Sequence, residues 1–402
     1  MKIAIVSDTH FGYERFYEDA FIQAETAFEE ANKLADAIII PGDIFDKKNP
    51  RPEVLGRAFS IFRKLDEFEW NAKIIDYKPM ENGKNIYITK PIVAIPGTHE
   101  RLAVGKENAV GLLSIAGLVA DTSEAFTIIS KGSEKVAIYG IGGISEDMIK
   151  EKIKELNPVP LPGMFNILVF HQSIYELMPF SSDFLSKEEL PKGFDLYIDG
   201  HIHNRISDTV HNKPFLISGS TVLTQLKESE QEDKGFYIFD TESKTYEFHY
   251  INSRKFKVIR IILEDADPSE VVNKLEAEIS TSISSQMPIL KVYLQGSIKS
   301  GFDAIDIPIS SVIKKFSEKA YIEVDQSDLK SAKMEKNIEN IRAGKIEDLP
   351  IKDLGMQMFV SRLKDLGYDY NIDPSAIFEI LSSEDSHDSA IKKALALILS
   401  EK

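Results

Sequence analysis

The pattern of apolar and polar positions changes along this chain. In roughly the first third, short apolar runs typical of buried strands alternate with longer stretches that have the spacing of amphipathic helices. Closely spaced strands follow, while residues 66–90 are polar and are predicted to be irregular. The predicted strands are 3–7, 37–40, 92–95, 126–129, 135–139, 165–170, 195–198, 215–217, 235–239 and 246–250, and the predicted helices are 14–34, 53–65 and 108–116. This order predicts an α/β fold over residues 1–252, a two-sheet β-sandwich with flanking helices.

A different order of elements begins near Ser253. Strands at 255–263, 289–294 and 321–324 alternate with helices at 268–279 and 309–316, and this β-α-β-α-β order predicts a small α+β domain over residues 253–328. Residues 329–348 are mostly polar and are predicted to be a linker. Residues 349–402 form a predicted helical segment with helices at 351–366, after Asp373-Pro374 and at 389–399, too short to build a core alone.

Histidine and aspartate residues recur directly after the predicted strands. Five segments have this position: Asp8-Thr9-His10, Gly42-Asp43, Gly97-Thr98-His99, Phe170-His171 and Gly200-His201-Ile202-His203. Ligands of open α/β sheets bind beyond the carboxyl ends of strands, so these side chains are expected to converge at one edge. Alternate residues of an extended segment point the same way, so Asp8 and His10 can share one metal. His201 and His203 have the same spacing, but an irregular loop could direct them at different metals.

This set of side chains indicates a divalent metal centre. Mixed imidazole and carboxylate ligands without sulfur suit Mn²⁺, Fe²⁺ or Zn²⁺, and the chain has no cysteine. Six or seven such groups are more than one ion needs, so two ions about 3.5–4 Å apart and bridged by Asp43 are predicted. Any one of these short segments is more often an ordinary loop, and the prediction depends on all five appearing in one chain.

The remaining polar residues near these segments have open interpretations. Asp46 could contact a metal ligand or be solvated, and Glu100 could orient His99 or face water. His211, His249 and His387 lack the position after a strand and are expected to be surface or packing residues.

Composition limits the possible locations and partners. The formal net charge of -16 argues mildly against non-specific nucleic-acid binding, although a global count can hide a local basic patch. No stretch is long and apolar enough to span a membrane. The residues from Met1 to Val6 run into a strand and lack the features of a signal peptide, so a cytoplasmic location is expected.

The order D-x-H, G-D-x-x-D, G-x-H-E, H and G-H-x-H resembles the calcineurin-like metallophosphoesterase superfamily over about residues 1–250. Within it, the chain is similar to the archaeal nuclease subunit of the Mre-eleven/Rad-fifty (SbcCD-type) DNA double-strand-break repair complex. Three features carry this narrower resemblance: Gly42-Asp43-Ile44-Phe45-Asp46 followed by Pro50 and Pro52, the small β-α-β-α-β block, and the helical tail. The resemblance implies a Mn²⁺-dependent exonuclease and endonuclease that acts on DNA ends.

The resemblance also implies roles for individual residues. One ion would be held by Asp8, His10, Asp43 and His203, and the other by Asp43, His171, His201 and position 98, while His99 would contact the scissile phosphate. Two positions depart from the family pattern. The usual asparagine at position 98 is Thr98, a poorer ligand, so the second ion is expected to bind more weakly or to take an extra water. The common aspartate after the histidine is Glu100.

The implied partners are DNA, a second copy of the chain and a coiled-coil ABC-type ATPase subunit. Residues 253–328 would cap the site and position DNA, with Lys213, Arg254, Lys255 and Lys257 as phosphate contacts or as scattered surface charge. The tail would dock on the ATPase through Met356, Phe359, Leu363 and Leu366, or would pack on the chain's own body. A homodimer would use the helices at 53–65 and 108–116, with candidate contacts at Leu55, Phe59, Phe62, Leu112 and Leu113, unless these are core residues.

Two other functions remain open at this point. A metallophosphatase or phosphodiesterase for small molecules or proteins would share every metal ligand, and only the blocks after residue 253 disfavour it. A non-catalytic scaffold of a repair complex would keep the fold, and Thr98 is the one hint in its favour.

Overall fold

The computed structural model describes residues 1–77, 88, 90–101, 107–178, 184–283, 287–330 and 380. Within these ranges the strands are β1 (Lys2–Ile5), β2 (Ala37–Ile40), β3 (Lys73–Asp76), β4 (Ile92–Ala94), β5 (Ala120–Asp121), β6 (Phe126–Lys131), β7 (Glu134–Ile141), β8 (Phe165–Phe170), β9 (Leu196–Asp199), β10 (Ile206–Val210), β11 (Lys213–Ile217), β12 (Gly235–Asp240), β13 (Thr245–Tyr250), β14 (Phe256–Ala266), β15 (Ile289–Ile298) and β16 (Tyr321–Lys330). The helices are α1 (Tyr17–Leu34), α2 (Pro52–Lys64), α3 (Ala109–Ile115), α4 (Ile149–Leu156), α5 (Pro268–Ser282) and α6 (Ile309–Phe316).

Two large sheets form the first part of the chain. The six-stranded sheet has the order β13-β12-β1-β2-β4-β5, and the seven-stranded sheet has the order β10-β11-β9-β8-β7-β6-β3. In the first sheet β1, β2 and β4 are parallel neighbours, and in the second β8 and β9 are parallel neighbours. The five polar segments that contain the predicted ligands follow the carboxyl ends of these strands.

The period of two in each strand explains why these strands are apolar throughout. In β1, Ile3 and Ile5 contribute to the core between the two sheets, whereas Ala4 belongs to the core beneath α1, α2 and α3. In β8, Ile167 faces the same central core and Leu168 faces a third core on the outer side of the second sheet. Strands buried on both faces lose the alternation of apolar and polar residues.

The predicted two-sheet α/β architecture with flanking helices is confirmed. Four of the strands and α-helices named above are missing from the predictions. Strand β3 lies inside the stretch predicted to be irregular and buries only Ile74 of its four residues, so its polar sequence resembles a loop. Strand β5 has two residues, and β10 has three consecutive polar residues, Ser207 to Thr209, at its centre. Helix α4 buries Ile149 and Ile153, an i, i+4 pair that could have revealed it.

The predicted β-α-β-α-β order after Ser253 is observed as β14, α5, β15, α6 and β16, and its strands form a sheet in the order β14-β15-β16. By compactness the chain divides into two units. One comprises Met1–Ile261, Val272–Leu294 and Pro308–Ser327, and the other comprises Ile262–Val271, Gln295–Ile307 and Asp328–Lys402. The predicted boundary between residues 252 and 253 stays a prediction.

The predictions for the tail fall almost entirely beyond residue 330, outside the described residues apart from Ile380. This holds for the linker after residue 330, for the three tail helices, and for Met356, Phe359, Leu363, Leu366 and His387. Among the helices that the structure describes, none combines the length and the apolar character that crossing a membrane requires.

Candidate metal centre

The five polar segments come together although they follow strands of two different sheets. Within the first sheet, the amide of Asp8 donates to the carbonyl of Gly42, and the amide of His10 donates to the carbonyl of Asp43. A link between the sheets is made when the amide of His201 donates to Asp8 Oδ1 over 3.1 Å. The sandwich therefore brings the ends of β1, β2, β4, β8 and β9 to one site.

Three groups of potential metal ligands result. Each group offers three ligand atoms within 4.8 Å of one another, and the groups are Asp8, His10 and His203; Asp43, His171 and His201; and His10, Asp46 and His99. In the first group the Nε2 atoms of His10 and His203 are 3.1 Å apart, and Asp8 Oδ1 lies 4.0 and 3.9 Å from them. In the second group His171 Nε2 lies 3.2 Å from Asp43 Oδ2.

Unusual backbone conformation directs these side chains. Asp8, His10, Asp43 and His201 all have positive φ, between 46° and 69°. A non-glycine residue in this region costs about 1–3 kcal/mol, and such strain is typical of functional sites. Gly97 has a different role, because a Cβ there would lie 2.8 Å from Asp43 Cγ. The loops after β2 and β4 can approach this closely only because residue 97 has no side chain.

Hydrogen bonds fix one ring nitrogen on four of the five histidines. His171 Nδ1 lies 2.7 Å from the carbonyl of Pro41, and His99 Nδ1 lies 2.5 Å from the carbonyl of Asp46. Carbonyl oxygens only accept, so both Nδ1 atoms carry a proton, and the lone pair of the neutral imidazole is then on Nε2. His201 Nε2 contacts the hydroxyl of Ser173, and His203 Nδ1 contacts the hydroxyl of Thr224.

Burial keeps most of these imidazoles neutral. It lowers the pKa of His10 to about 3 and that of His201 to about 4, and it holds the pKa of His203 well below its usual value. Burial raises the pKa of Asp8 to about 7. For His171, burial acts to lower the pKa, but the carboxylate of Asp43 outweighs it and raises the pKa to about 10.

The pKa of Asp43 shifts in the opposite direction to that of Asp8. Burial favours its neutral form, yet the charge of His171, whose Nε2 lies 3.2 Å from Asp43 Oδ2, holds the pKa of Asp43 below the usual range. Asp43 is therefore ionised although it is buried. A divalent ion bound here would replace the Nε2 proton of His171, because an imidazole that ligates a metal must be neutral.

The residues present fit a divalent metal. Ligand atoms about 2.1 Å from one ion lie roughly 3.0–3.4 Å apart at octahedral or tetrahedral angles. The separations of 3.1 to 4.0 Å in the first group are close to this range. In addition, His10 Nδ1 is buried and has no hydrogen-bond partner among the described residues. Neutral imidazoles and carboxylates without sulfur suit Mn²⁺, Fe²⁺ or Zn²⁺.

His99 borders the cluster and is the most accessible of its histidines, with 41% of its side chain exposed. Its Nε2 lies 3.9 Å from Asp43 Oδ2, and its amide donates to Asp43 Oδ1 over 2.9 Å. Burial acts to lower the pKa of His99, but Asp43 and the carbonyl of Asp46 outweigh it and raise the pKa. Asp46 Oδ1 itself lies 3.7 Å from His10 Nδ1, so this side chain lies beside the ligands.

Glu100 is buried where the loops after β2 and β4 meet. Its side chain is completely buried, so the interpretation that it faces water is wrong, and a role in orienting His99 stays a prediction. Glu100 accepts hydrogen bonds from the amide of Phe45 over 2.6 Å and from the amide of Gly97 over 2.8 Å. Glu100 thus joins the loop that carries Asp43 to the loop that carries His99.

Thr98 lies beside the second group of ligands. Its hydroxyl is 3.4 Å from His201 Nδ1, the ring nitrogen that Ser173 does not contact. The hydroxyl can therefore approach an ion held by His201, and whether it ligates that ion stays a prediction.

The four predicted DNA contacts all have partners within the chain. Lys213 is the first residue of β11 and pairs with Asp195. It lies at the opposite end of the seven-stranded sheet from His201, because β11 runs parallel to β9. The other three have intramolecular partners as well: Arg254 pairs with Asp19, Lys255 pairs with Asp233, and Lys257 donates to Ser282. A role of these residues as phosphate contacts stays a prediction.

Two of the other histidines lie in the described part of the chain and have structural surroundings. His211 Nε2 contacts the carbonyl of Leu190, and His249 pairs with Glu247 and stacks on Phe236.

The predicted dimer contacts differ in how far they are buried. Phe62 and Leu113 are buried in the chain's own core, whereas Leu112 is 39% exposed.

Sequence reasoning missed the residues that hold the histidines in place. Ser173 and Thr224 contact His201 and His203, and Glu230 and Lys234 lie behind Thr224. Ser173 follows His171 by two positions, which is a local signal. Glu230 lies in an acidic run from 228 to 233 that looks like solvated surface charge, although its side chain is buried.

Known proteins are similar to this chain over much of its length. The double-strand break repair protein MRE11 of Encephalitozoon cuniculi is 25% identical over 312 residues, which cover 72% of this chain and 53% of that protein. The DNA double-strand break repair proteins Mre11 of Sulfolobus acidocaldarius and Methanocaldococcus jannaschii are 25% and 26% identical, over 74% and 69% of this chain and 76% and 73% of those proteins. The chain thus spans about half the length of the Encephalitozoon relative.

A sequence profile of the calcineurin-like phosphoesterases matches residues 1–205, half of the chain. The matched region contains β1, β2, β4, β8 and β9 together with every residue of the three ligand groups. It is a family of divalent-metal enzymes, in agreement with the ligand set at the ends of these strands. This chain belongs to the calcineurin-like phosphoesterase family.

Proposed function

We propose that this chain is a metal-dependent phosphodiesterase that cleaves DNA ends during double-strand-break repair. The observation that carries the proposal is the convergence of Asp8, His10 and His203, of Asp43, His171 and His201, and of His99 at one edge of the sandwich. The named role of the similar proteins in double-strand break repair supports DNA as the substrate. Such an enzyme would act at the nucleoid.

In this proposal the site would take two Mn²⁺ ions. Asp8, His10 and His203 would hold one ion, His171 and His201 would hold the other with Thr98 beside it, and Asp43 would serve as a ligand for both. When bound, the ions supply Lewis acidity, which neutralises phosphodiester charge and acidifies the attacking water.

His99 has the position of a proton donor in this scheme. Its Nδ1–H is held by the carbonyl of Asp46, so the ring presents Nε2 on the side of Asp43. When the ring is protonated, Nε2 carries the second proton. Nε2–H can then donate to a phosphoryl oxygen or to the departing oxygen, a contribution of about 10²–10⁴-fold for general acid catalysis.

The test is Mn²⁺-dependent cleavage of an end-labelled DNA hairpin and of a recessed duplex. Asp43→Asn keeps the shape of the side chain but removes its charge, and it is expected to lower cleavage at least about 100-fold. His249→Ala is the matched control, because His249 pairs with Glu247 away from the cluster. Full activity of Asp43→Asn would contradict the proposed site. Turnover of phosphopeptides or cyclic nucleotides without cleavage of DNA would contradict the proposed substrate.

The partner proposals concern other parts of the chain. We infer that residues 253–328 position DNA and that residues 349–402 bind a coiled-coil ATPase subunit. Recovery of that ATPase by the whole chain, but not by a chain truncated after Lys330, the last residue of β16, would support the second role, and equal recovery would refute it. We further infer a homodimer, and light scattering on the purified protein measures its mass directly.

A further inference from the structure

His203 is the last ligand of the first group, and the structure shows how its ring is held. Its Nδ1 contacts the hydroxyl of Thr224, and the same hydroxyl lies 3.0 Å from Glu230 Oε1. These three side chains form a continuous chain from the ligand group into the protein interior. They come from two connections between strands, since His203 follows β9, whereas Thr224 and Glu230 both lie between β11 and β12.

The carboxylate at the inner end is firmly anchored. Glu230 is buried and accepts from Lys234 Nζ over 3.0 Å, from the amide of Gln225 over 2.9 Å and from the amide of Thr224 over 3.2 Å. Lys234 is itself buried and also donates to the hydroxyl of Ser220 over 3.1 Å. A carboxylate surrounded by these donors only accepts hydrogen bonds.

This anchoring decides where the protons lie. A threonine hydroxyl has one proton, and Thr224 gives it to Glu230, so its oxygen can only accept from His203. His203 therefore carries its proton on Nδ1 and keeps the lone pair on Nε2. That Nε2 atom faces His10 Nε2 at 3.1 Å and Asp8 Oδ1 at 3.9 Å, inside the first ligand group.

His201 is held by a similar arrangement with the opposite result. Its Nε2 lies 3.0 Å from the hydroxyl of Ser173, which lies 3.1 Å from Glu146 Oε1. The proton is then on Nε2, and Nδ1 faces the second ligand group. One difference separates the two arrangements: Glu230 is buried, whereas Glu146 is exposed. An exposed carboxylate can be replaced by water as the hydroxyl's acceptor, and a buried one cannot.

We propose that Glu230 is a positioning residue which, through Thr224, fixes the tautomer and direction of His203 so that Nε2 binds the metal of the first ligand group. Groups that hold a ligating histidine in this way typically change metal affinity about 10–100-fold when they are removed. The inference rests on the proposed metal sites, and it assigns the parallel role at His201 to Ser173, with Glu146 contributing less.

The first experiment is a Mn²⁺ titration of the whole chain, with free Mn²⁺ measured by electron paramagnetic resonance. Thr224→Val keeps the shape but removes the hydroxyl, and it is expected to weaken one class of sites about 10–100-fold, whereas Thr224→Ser should retain nearly wild-type affinity. Asp8→Asn identifies that class as the one containing His203. Glu146→Gln is the control for Glu230→Gln and should weaken Mn²⁺ binding less than Glu230→Gln does.

The second measurement needs no variant. Long-range ¹H–¹⁵N correlation spectra of the metal-free wild-type chain report the tautomer of each neutral histidine. His203 is expected to be protonated on Nδ1 and His201 on Nε2. A His203 protonated on Nε2, or a folded Thr224→Val chain with unchanged Mn²⁺ affinity, would overturn the inference and leave the proposed function standing. A wild-type chain that binds no Mn²⁺ would overturn the proposed function and this inference with it.

Discussion

Gly97→Ala tests whether the loops after β2 and β4 need their close approach. The new methyl group would lie 2.8 Å from Asp43 Cγ, and the Asp43 backbone is close to it as well. Carbon atoms in ordinary contact are about 3.5–4.0 Å apart, so Asp43 or Gly97 must move by roughly 1 Å. Gly97 does not have a positive φ, so the substitution tests this contact without additional backbone strain.

Two opposing effects determine the stability of this variant. Overpacking costs about 1–3 kcal/mol, and the lower entropy of the unfolded chain returns about 0.4–1 kcal/mol. The free energy of unfolding should therefore fall by about 0–2.5 kcal/mol. A displacement of about 1 Å at a reacting centre can cost about 100-fold in activity, so Mn²⁺ binding and cleavage should suffer more than stability.

Gly56→Ala is the matched control, since it makes the same chemical change in a different setting. Gly56 lies in the middle of α2, and a Cβ there would have no atom within 4 Å. The free energy of unfolding should rise by about 0.5–1 kcal/mol with no change in activity. Urea titration followed by the fluorescence of Trp70, the single tryptophan, measures both variants, because Trp70 packs against the core beneath the helices. If Gly97→Ala binds Mn²⁺ and unfolds like the wild type, the placement of Asp43 against Gly97 is wrong.

Three further predictions concern other parts of the structure. Glu100→Ala leaves the amides of Phe45 and Gly97 without their buried acceptor, so Mn²⁺ affinity should fall at least about 10-fold in a titration, and unchanged affinity would argue against a link between the two loops. Mn²⁺ at about 100 times its dissociation constant should raise the free energy of unfolding of the wild-type chain by about 2.7 kcal/mol relative to the same chain in EDTA. In the same urea titration, Mn²⁺ should raise the free energy of unfolding of Asp43→Asn much less. Leu113→Ala should lower the free energy of unfolding by about 2–5 kcal/mol because Leu113 is fully buried, whereas Leu112→Ala should change mainly the mass seen by light scattering if the exposed Leu112 contacts a second copy.

The sequence by itself was enough to predict the architecture and the location of the site. Strands buried on both faces leave continuous apolar runs, and parallel strands end at one edge of a sheet. The position of Asp8, Asp43 and His171 directly after such runs therefore predicted their convergence. These inferences need only the stereochemistry of the strand and the order of the elements. They fail where the local pattern is weak, as in β3, whose single buried residue is Ile74.

Tertiary structure decided which way each side chain points and what holds it. His201 and His203 are two residues apart in an irregular loop, yet they present different ring nitrogens, because Ser173 and Thr224 approach them from distant parts of the chain. The buried position of Glu100 likewise depends on the amides of Phe45 and Gly97. In a strand the backbone fixes the direction of a side chain, whereas in these loops contacts between residues far apart in sequence fix it, and no local pattern records such contacts.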